Sequence, residues 1–155
     1  MADSVPFLTL QAIAAQLAVI SIATGYNTNL GVSVRIHGTQ RSEAELPSIA
    51  IGSRSGEFNL AADGVTSPRA RRMAIIIEPA MVSAFEDEER VAHLMLEDIE
   101  CAFARNTRYA PFSVRGVVLE TWSIVDRPEG SNAVVLQILG TAEYLRSQPT
   151  PAIAG

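Results

Sequence analysis

The sequence has few of the residues from which reactive sites are built. It contains no lysine, one cysteine, one tryptophan and two histidines among 155 residues. All twelve cationic side chains are arginine, and a coding sequence rich in G and C explains this more simply than arginine's preference for carboxylates. The single cysteine, Cys101, excludes an internal disulfide and a cysteine metal cluster. Because it falls on the apolar stripe of a predicted helix, we expect it to be a small core residue.

The chain also lacks a basic excess and a membrane-length apolar run. Its net charge is −5, whereas a nucleic-acid-binding domain is usually basic. The apolar stretch 5–20 is interrupted by Gln11 and Gln16, is too short for a membrane span, and has no basic region before it. With 48% hydrophobic residues, the composition predicts one folded domain, 1–146, with an extended tail, 147–155, made in the cytoplasm without membrane contact.

Hydrophobic periodicity predicts seven elements in the order α-β-β-β-α-β-β. A helix at 5–20 begins after the N-cap Ser4, and strands follow at 32–36, 46–51 and 70–78. Pro47 indicates an edge position for the second strand, and Pro79 is predicted to end the third, which is apolar on both faces and therefore central. A helix at 86–105 precedes two strands, 114–125 and 133–144, joined by a turn. One side of the last strand is predicted to carry Val134, Leu136, Ile138, Ala142 and Tyr144. The fold class is α+β, with two helices on a single mixed or antiparallel sheet.

A long connection, 52–68, is predicted to protrude as a loop or hairpin arm. Connections of this length without structure of their own are often functional. Phe58 and Leu60 alternate with polar residues inside the arm, and leaving two large apolar side chains in water is costly. The arm therefore either folds back onto its own sheet or packs against another subunit, and these alternatives stay open.

Two charged clusters are candidates for subunit or partner contacts. The basic cluster could bind phosphate or, more economically, could pair with carboxylates across an interface, where arginine is enriched. The acidic cluster suits the positive end of a helix dipole. The basic cluster consists of Arg69, Arg71 and Arg72, and the acidic cluster of Glu86, Asp87, Glu88 and Glu89.

No catalytic, cofactor or metal site is expected. The sequence has no phosphate-binding loop, dinucleotide fingerprint, zinc-protease motif or nucleophile elbow. His93 lies four residues from both Glu89 and Glu97, which places the three on one helix face. Such a face is expected to be solvated and charge-balanced, because it offers a metal no closed coordination shell.

The segment GYNTNLG, residues 25–31, is predicted to be a structural turn. A phosphate-binding loop follows a strand and opens a helix, whereas this segment follows a helix and opens a strand. Gly25 and Gly31 tolerate positive φ, and Asn27 and Asn29 favour bonds from side chain to backbone. Tyr26 is expected to anchor the turn against the core while its hydroxyl remains in water.

Two stretches carry a resemblance to a known family. The pattern I-x-x-A-x-G-Y-N-T-N-L-G at 20–31, with a strand directly after it, and ELPSIAI at 45–51 resemble the tail terminator (tail completion) proteins of long-tailed bacteriophages. The resemblance implies an α+β protein that is not an enzyme and forms a hexameric ring at the head-proximal end of the tail tube. There the ring ends tube polymerisation and offers a surface to the head connector.

The resemblance also implies partners and a location. These are other copies of the chain, the tail tube protein and the head–tail connector proteins, all in the virion, with DNA passing through the channel without sequence-specific binding. An acidic wall would repel phosphates and let DNA slide. The alternatives are another connector or stopper, a tube protein or, in a different class, a small α+β enzyme or ligand-binding domain.

Overall fold

A computed structural model describes residues 4–36, 45–58, 61–62, 65–66, 70–105, 116–127 and 130–145. Leu60, Arg69 and the tail 147–155 from the sequence predictions lie outside these ranges. The two helices in the described residues are α1, Val5–Leu17, and α2, Glu88–Arg105. The strands are β1 Val34–Ile36, β2 Ser48–Phe58, β3 Ala61–Ala62, β4 Val65–Thr66, β5 Ala70–Val82, β6 Val117–Ile124 and β7 Ala133–Leu145.

The fold is α+β, as predicted. Within the described ranges, five strands form one mixed sheet in the order β1-β2-β5-β7-β6, and β3 pairs with β4 in a separate two-stranded sheet. β1 runs parallel to β2, whereas the β2–β5, β5–β7 and β7–β6 pairs are antiparallel. The predicted central position of the third strand is confirmed, because β5 is the middle strand of the sheet.

Both helices pack on the same face of the sheet and enclose one hydrophobic core. Alternation along β7 buries its even-numbered residues from Val134 to Ala142, which the sequence pattern predicted. The Gln16 side-chain amide donates to the Ala102 carbonyl at 3.2 Å and so ties α1 to α2 inside this layer. The largest fully buried side chains include Ile13, Leu17, Ile75, Ile77, Met95, Ile99, Leu136 and Ile138.

Both ends of α1 follow from local chemistry. The Ser4 hydroxyl accepts a hydrogen bond from the Phe7 amide at 3.4 Å, and Pro6 sits in the first turn, so the predicted N-cap is confirmed. The α-helix ends at Leu17 rather than at residue 20. Because β-branched residues follow, the chain continues through a short 3₁₀ turn, Ile22–Thr24, instead of extending the helix.

Three strand predictions are wrong. β1 begins at Val34, because Leu30–Val32 forms a 3₁₀ turn. β2 runs on to Phe58 and lies inside the sheet, so Pro47 precedes an interior strand rather than an edge strand. β5 continues through Pro79 to Val82, since the flanking residues keep their ladder partners on both sides of the proline.

The longer β2 also shortens the predicted arm. Residues 52–58 pair with β5, so what remains between β2 and β5 is 59–69, where β3 and β4 form a small hairpin. Backbone pairing extends β2 through GSRSGE, a stretch with no apolar periodicity. The sequence pattern could not indicate a strand that no buried face supports.

Cys101 is exposed, which corrects its predicted place in the core. The buried side of α2 includes Met95, Ile99 and Ala102. Residues of a helix are about 100° apart, so Cys101, two positions after Ile99, points well away from that side.

Candidate subunit interface

The predicted turn at 25–31 is a rigid corner between α1 and β1. Gly25 ends the 3₁₀ turn with φ of 95°, a left-handed conformation that favours glycine. Gly31 is needed for a different reason than the one predicted, since a Cβ there would lie 2.6 Å from the Ala18 carbonyl oxygen. The Asn29 side-chain oxygen accepts from the Ile22 amide at 2.9 Å, which confirms the predicted bond from side chain to backbone.

Asp98 of α2 holds this corner, and the sequence prediction did not include it. Its carboxylate accepts from the backbone amides of Asn27 and Thr28 at 2.9 and 2.8 Å, and from the Thr28 hydroxyl at 2.6 Å. The side chain is only 1% exposed. A buried carboxylate needs hydrogen-bond donors, which the corner supplies to Asp98. The amides of the corner in turn need the acceptor that Asp98 supplies. Its position between Met95 and Ile99 on a helical stripe is the signal that could have revealed it.

Tyr26 packs against the core at the same corner, as predicted, but its hydroxyl is buried rather than in water. The residue is 7% exposed, and its hydroxyl oxygen has no hydrogen-bond partner among the residues described. The Arg105 guanidinium lies 4.5 Å from the centre of the ring, and its Nη1 donates to the Thr24 carbonyl at 3.4 Å. The last turn of α2 therefore covers the corner with a cation–π contact.

Arg72, one of the predicted interface arginines, lies between two carboxylates of its own chain. It occupies one cross-strand row with Glu57 on β2 and Glu143 on β7. Its guanidinium nitrogens are 3.9 Å from Glu57 and 3.2 Å from Glu143. Arg71 points to the other face of β5, since successive strand residues alternate. The interface role of both arginines stays a prediction.

Replacing Arg72 by Met should lower the free energy of unfolding by at most about 1 kcal/mol, because its ion pairs are partly exposed and screened. Urea titration of the variant and the parent measures the difference. A much larger loss would contradict the assignment of Arg72 to a surface ladder. A drop in self-association at unchanged stability would support its predicted contact with a neighbour.

The acidic cluster surrounds the start of α2, as the helix-dipole argument predicted. Glu86 and Asp87 lie exposed in a 3₁₀ turn, Phe85–Asp87, that leads into the helix. Glu88 is 4.0 Å from the Arg127 guanidinium, whose Nη1 donates to the Ser83 carbonyl at 3.2 Å. This cluster therefore remains accessible to a partner, with one member tied to the chain that follows β6.

The exposed face of α2 carries a contact between His93 and Trp122. The His93 ring lies 3.4 Å from the Glu89 carboxylate and edge-on to Trp122, with ring centres 5.4 Å apart. Glu97 turns away to accept from the Asn27 side-chain amide at 2.9 Å. Within the described ranges, no three His, Cys, Asp or Glu side chains are grouped to hold a metal ion. Trp122 itself is 46% exposed.

The described strands leave two different edges on the sheet. β6 has a described strand only on its β7 side. At the opposite end, β1 covers β2 only as far as Ile51, and no described strand lies beside residues 52–58 on that side. Free strand edges of this kind can pair with another chain. We call residues 52–58 the free half of β2.

Each of these two edges contains a β-bulge, and the extra residue of each bulge is charged. The register between β2 and β5 shifts at Arg54, and that between β6 and β7 shifts at Glu120. Both residues are exposed, and the Glu120 carboxylate accepts from the Thr141 hydroxyl at 2.7 Å. The two edges therefore carry opposite charges at their bulges.

A cleft of about 400 Å³ opens where β1 ends beside β2. Its walls come from α1, β1, β2 and β5, and its lining is mixed, with apolar side chains beside the polar Ser53, Arg54 and Glu78. Gly52 lines it without a side chain, and no atom lies within 4 Å of where its Cβ would be. The main apolar residues are Leu10, Ile36, Ile51 and Ile76.

The sequence matches no protein-family model. It matches no curated protein either. Among solved structures, a chain of the "Virion of native gene transfer agent (GTA) particle" is similar, with 9% identity and a TM-score of 0.49. The alignment covers 87% of this chain and 92% of that chain. At this TM-score the similarity is too low to support a conclusion about function. Neither described helix has the length and apolar character that a membrane crossing requires.

Proposed function

We propose that this chain is a structural protein of a phage-like virion and, within it, a tail terminator. In this role, copies form a ring at the head-proximal end of the tail tube, end tube polymerisation and offer the joining surface to the head connector. The chain acts through binding surfaces rather than through a reactive centre. The resemblance of residues 20–31 and 45–51 to terminator proteins suggests the role.

The observation that carries the proposal is the pair of different edges that the described strands leave on one sheet. A ring requires heterologous contacts, in which one surface of a subunit meets a different surface of the next. β6 on one side and the free half of β2 on the other meet that requirement. A single self-complementary edge would instead produce a two-fold dimer.

The rigid corner at 25–31 is consistent with this role. Asp98, Arg105 and Glu97 fix the corner from α2 through hydrogen bonds and a cation–π contact. The sequence stretch that resembles the terminator family is therefore held as a structural unit. In the proposed ring it keeps α1 and β1 in fixed positions beside the free half of β2.

The net charge of −5 suits a channel through which DNA slides. Like charge on the wall repels phosphates and prevents tight binding. We expect the assembled protein to retain no DNA at physiological salt. Binding that weakens steeply with salt would contradict this part of the proposal.

Electron microscopy of the purified chain tests the proposal against its nearest alternatives. A terminator should give single rings at every concentration, because it does not stack on itself without the tube. A tube protein should give tubes of growing length. Particles that stay monomeric, together with a large thermal shift on adding a metal or a nucleotide, would favour the enzyme or ligand-binding alternative.

Changing Phe58, the last residue of β2, and Leu60, in the predicted arm, together to Ser should leave a folded chain with reduced ring assembly if this segment reaches a neighbour. The reason is that two large apolar side chains would lose their burial at the contact. Sedimentation measures the oligomer, and circular dichroism confirms the fold. An intact ring in this variant would count against an interface role for these two side chains.

A further inference from the structure

We infer that residues 117–121 of β6 in one copy pair antiparallel with the free half of β2 in the next copy, and that Trp122 packs at the mouth of the cleft beside the end of β1. The sheet would then continue from subunit to subunit. This inference rests on the proposed ring and specifies which surfaces close it. The occupant of the cleft is a second copy of this chain.

Strand direction within one sheet supports the antiparallel pairing. β6 is antiparallel to β7, β7 to β5, and β5 to β2, so β6 and β2 run in opposite directions within each subunit. Rotation about a ring axis that is roughly parallel to the strands leaves their directions unchanged. β6 of one copy therefore meets β2 of the next as an antiparallel neighbour, which gives the backbone groups a regular ladder.

The heights of the two edges also agree. Residues that are linked by cross-strand pairing from β2 through β5 and β7 to β6 form one row of the sheet. Gly52 lies in the same row as Thr121, and Gly56 lies in the same row as Val117. A closed planar ring has no rise along its axis, so those rows stay level between copies. Residues 52–56 of one subunit then lie beside residues 117–121 of the next, above the point where β1 ends.

Charge favours this edge-to-edge contact over contact between two identical edges. In the inferred contact, Arg54 of one copy lies about one residue along the strand direction from Glu120 of the next copy. Both side chains are exposed, so the two bulges meet with opposite charges. Pairing β6 with a second β6 would bring the two Glu120 side chains to the same contact. Like charges at a contact disfavour it, and complementary charges set the partner and the register.

Trp122 is placed to pack at the mouth of the cleft. It shares a row with Ile138, Ile77 and Ile51, and its contact with His93 shows that it lies on the helix side of the sheet. A ring rotation keeps that side facing the same way in each copy. At that row β1 already pairs with the neighbour's β2 through Ile36, so β6 leaves the ladder after Thr121 and the exposed part of the indole lies against Ile36 at the mouth of the cleft. Exposed Trp is typical of residues that anchor interfaces.

Disulfide trapping tests the pairing, because Ser55 and Val118 share a row on the exposed face of the sheet. The variant combines Ser55→Cys and Val118→Cys with Cys101→Ser, which removes the native thiol. Within one subunit the two positions are three strand spacings, about 14 Å, apart, too far for a disulfide. We expect oxidation to give covalent oligomers up to the full ring on a non-reducing gel.

The matched control moves one cysteine along the same edge and face, combining Ser55→Cys and Ser123→Cys with Cys101→Ser. This pair should stay uncrosslinked, because Ser123 lies in the row of Gln137, beyond disulfide reach of Ser55. Equal crosslinking of both variants would overturn the inferred register. Native mass of the reduced proteins separates the failures: a ring without crosslinks rejects this pairing alone, whereas a monomer rejects the ring itself.

The emission of Trp122, the only tryptophan, gives an independent readout. On assembly, its fluorescence maximum should move to shorter wavelength as the indole leaves water, and dilution to monomers should reverse the shift. The Glu120→Arg variant, which retains Trp122 but should associate less, provides a control: its emission maximum should stay at longer wavelength over the concentrations at which the parent shifts. An unchanged Trp122 spectrum across a clear rise in mass would overturn its place at the mouth of the cleft.

Discussion

Replacing Asp98 by Ala should lower the free energy of unfolding by about 2–5 kcal/mol, the largest stability effect that we expect from an exchange of one polar residue. The carboxylate is 1% exposed and accepts three hydrogen bonds from the corner. Removing it leaves the buried Thr28 amide and the part-buried Asn27 amide without their acceptor. Such a loss is a large fraction of the total stability of an ordinary domain. Urea or thermal unfolding measures it.

The neighbouring Glu97 provides the matched control. It is also bonded to the corner, through the Asn27 side chain, but from an exposed position. Glu97→Gln should therefore cost less than about 1 kcal/mol. Asp98→Asn should fall between the two, since one side-chain atom becomes a donor that faces another donor. If Asp98→Ala lowered the free energy of unfolding by less than about 1 kcal/mol, the hydrogen bonds from Asp98 to the corner would not have the stabilising role assigned to them.

Reversing the charge of Glu120 to Arg should weaken self-association at least tenfold, or about 1.4 kcal/mol, while leaving the fold intact. Both Glu120 and Arg54 are exposed at free edges, so neither supports the core. In the inferred contact, the variant places two cations together and loses the favourable pair. Concentration-dependent sedimentation of the variant and the parent gives the ratio.

The reciprocal exchange makes this prediction specific. A protein with both Glu120→Arg and Arg54→Glu should recover most of the association, because the opposite charges are restored with their places exchanged. Glu100→Arg, an exposed change on α2 away from both edges, controls for net charge. Equal weakening in the Glu100 variant, or no recovery in the exchange variant, would reject the pairing of these two bulges.

Where apolar periodicity is strong, the sequence alone predicted the fold well. The alternation on β7, the central apolar run of β5 and the stripe of α2 each correspond to a buried surface. Each of these elements buries one face, and the buried face requires apolar residues at a regular spacing that can be read from the sequence. The turn at 25–31 was predictable for the same kind of reason, since Gly and Asn have specific roles in turns.

The missed features depend on partners that are distant in sequence. The extension of β2 to Phe58 depends on its ladder with β5, and β5 passes through Pro79 because its neighbours keep their partners. Asp98 is polar on a buried stripe only because it meets amides about 70 residues earlier. The free edges and the cleft follow from strand order, which single-sequence periodicity does not contain.

The native mass of the purified chain, measured across a range of concentrations, tests most directly whether function resides in contacts between copies. We predict a closed particle of fixed stoichiometry, six times the 16.6 kDa chain as the family resemblance implies, whose mass stops rising once it has formed. A single 16.6 kDa species at high concentration, or a mass that grows without limit, would contradict the account.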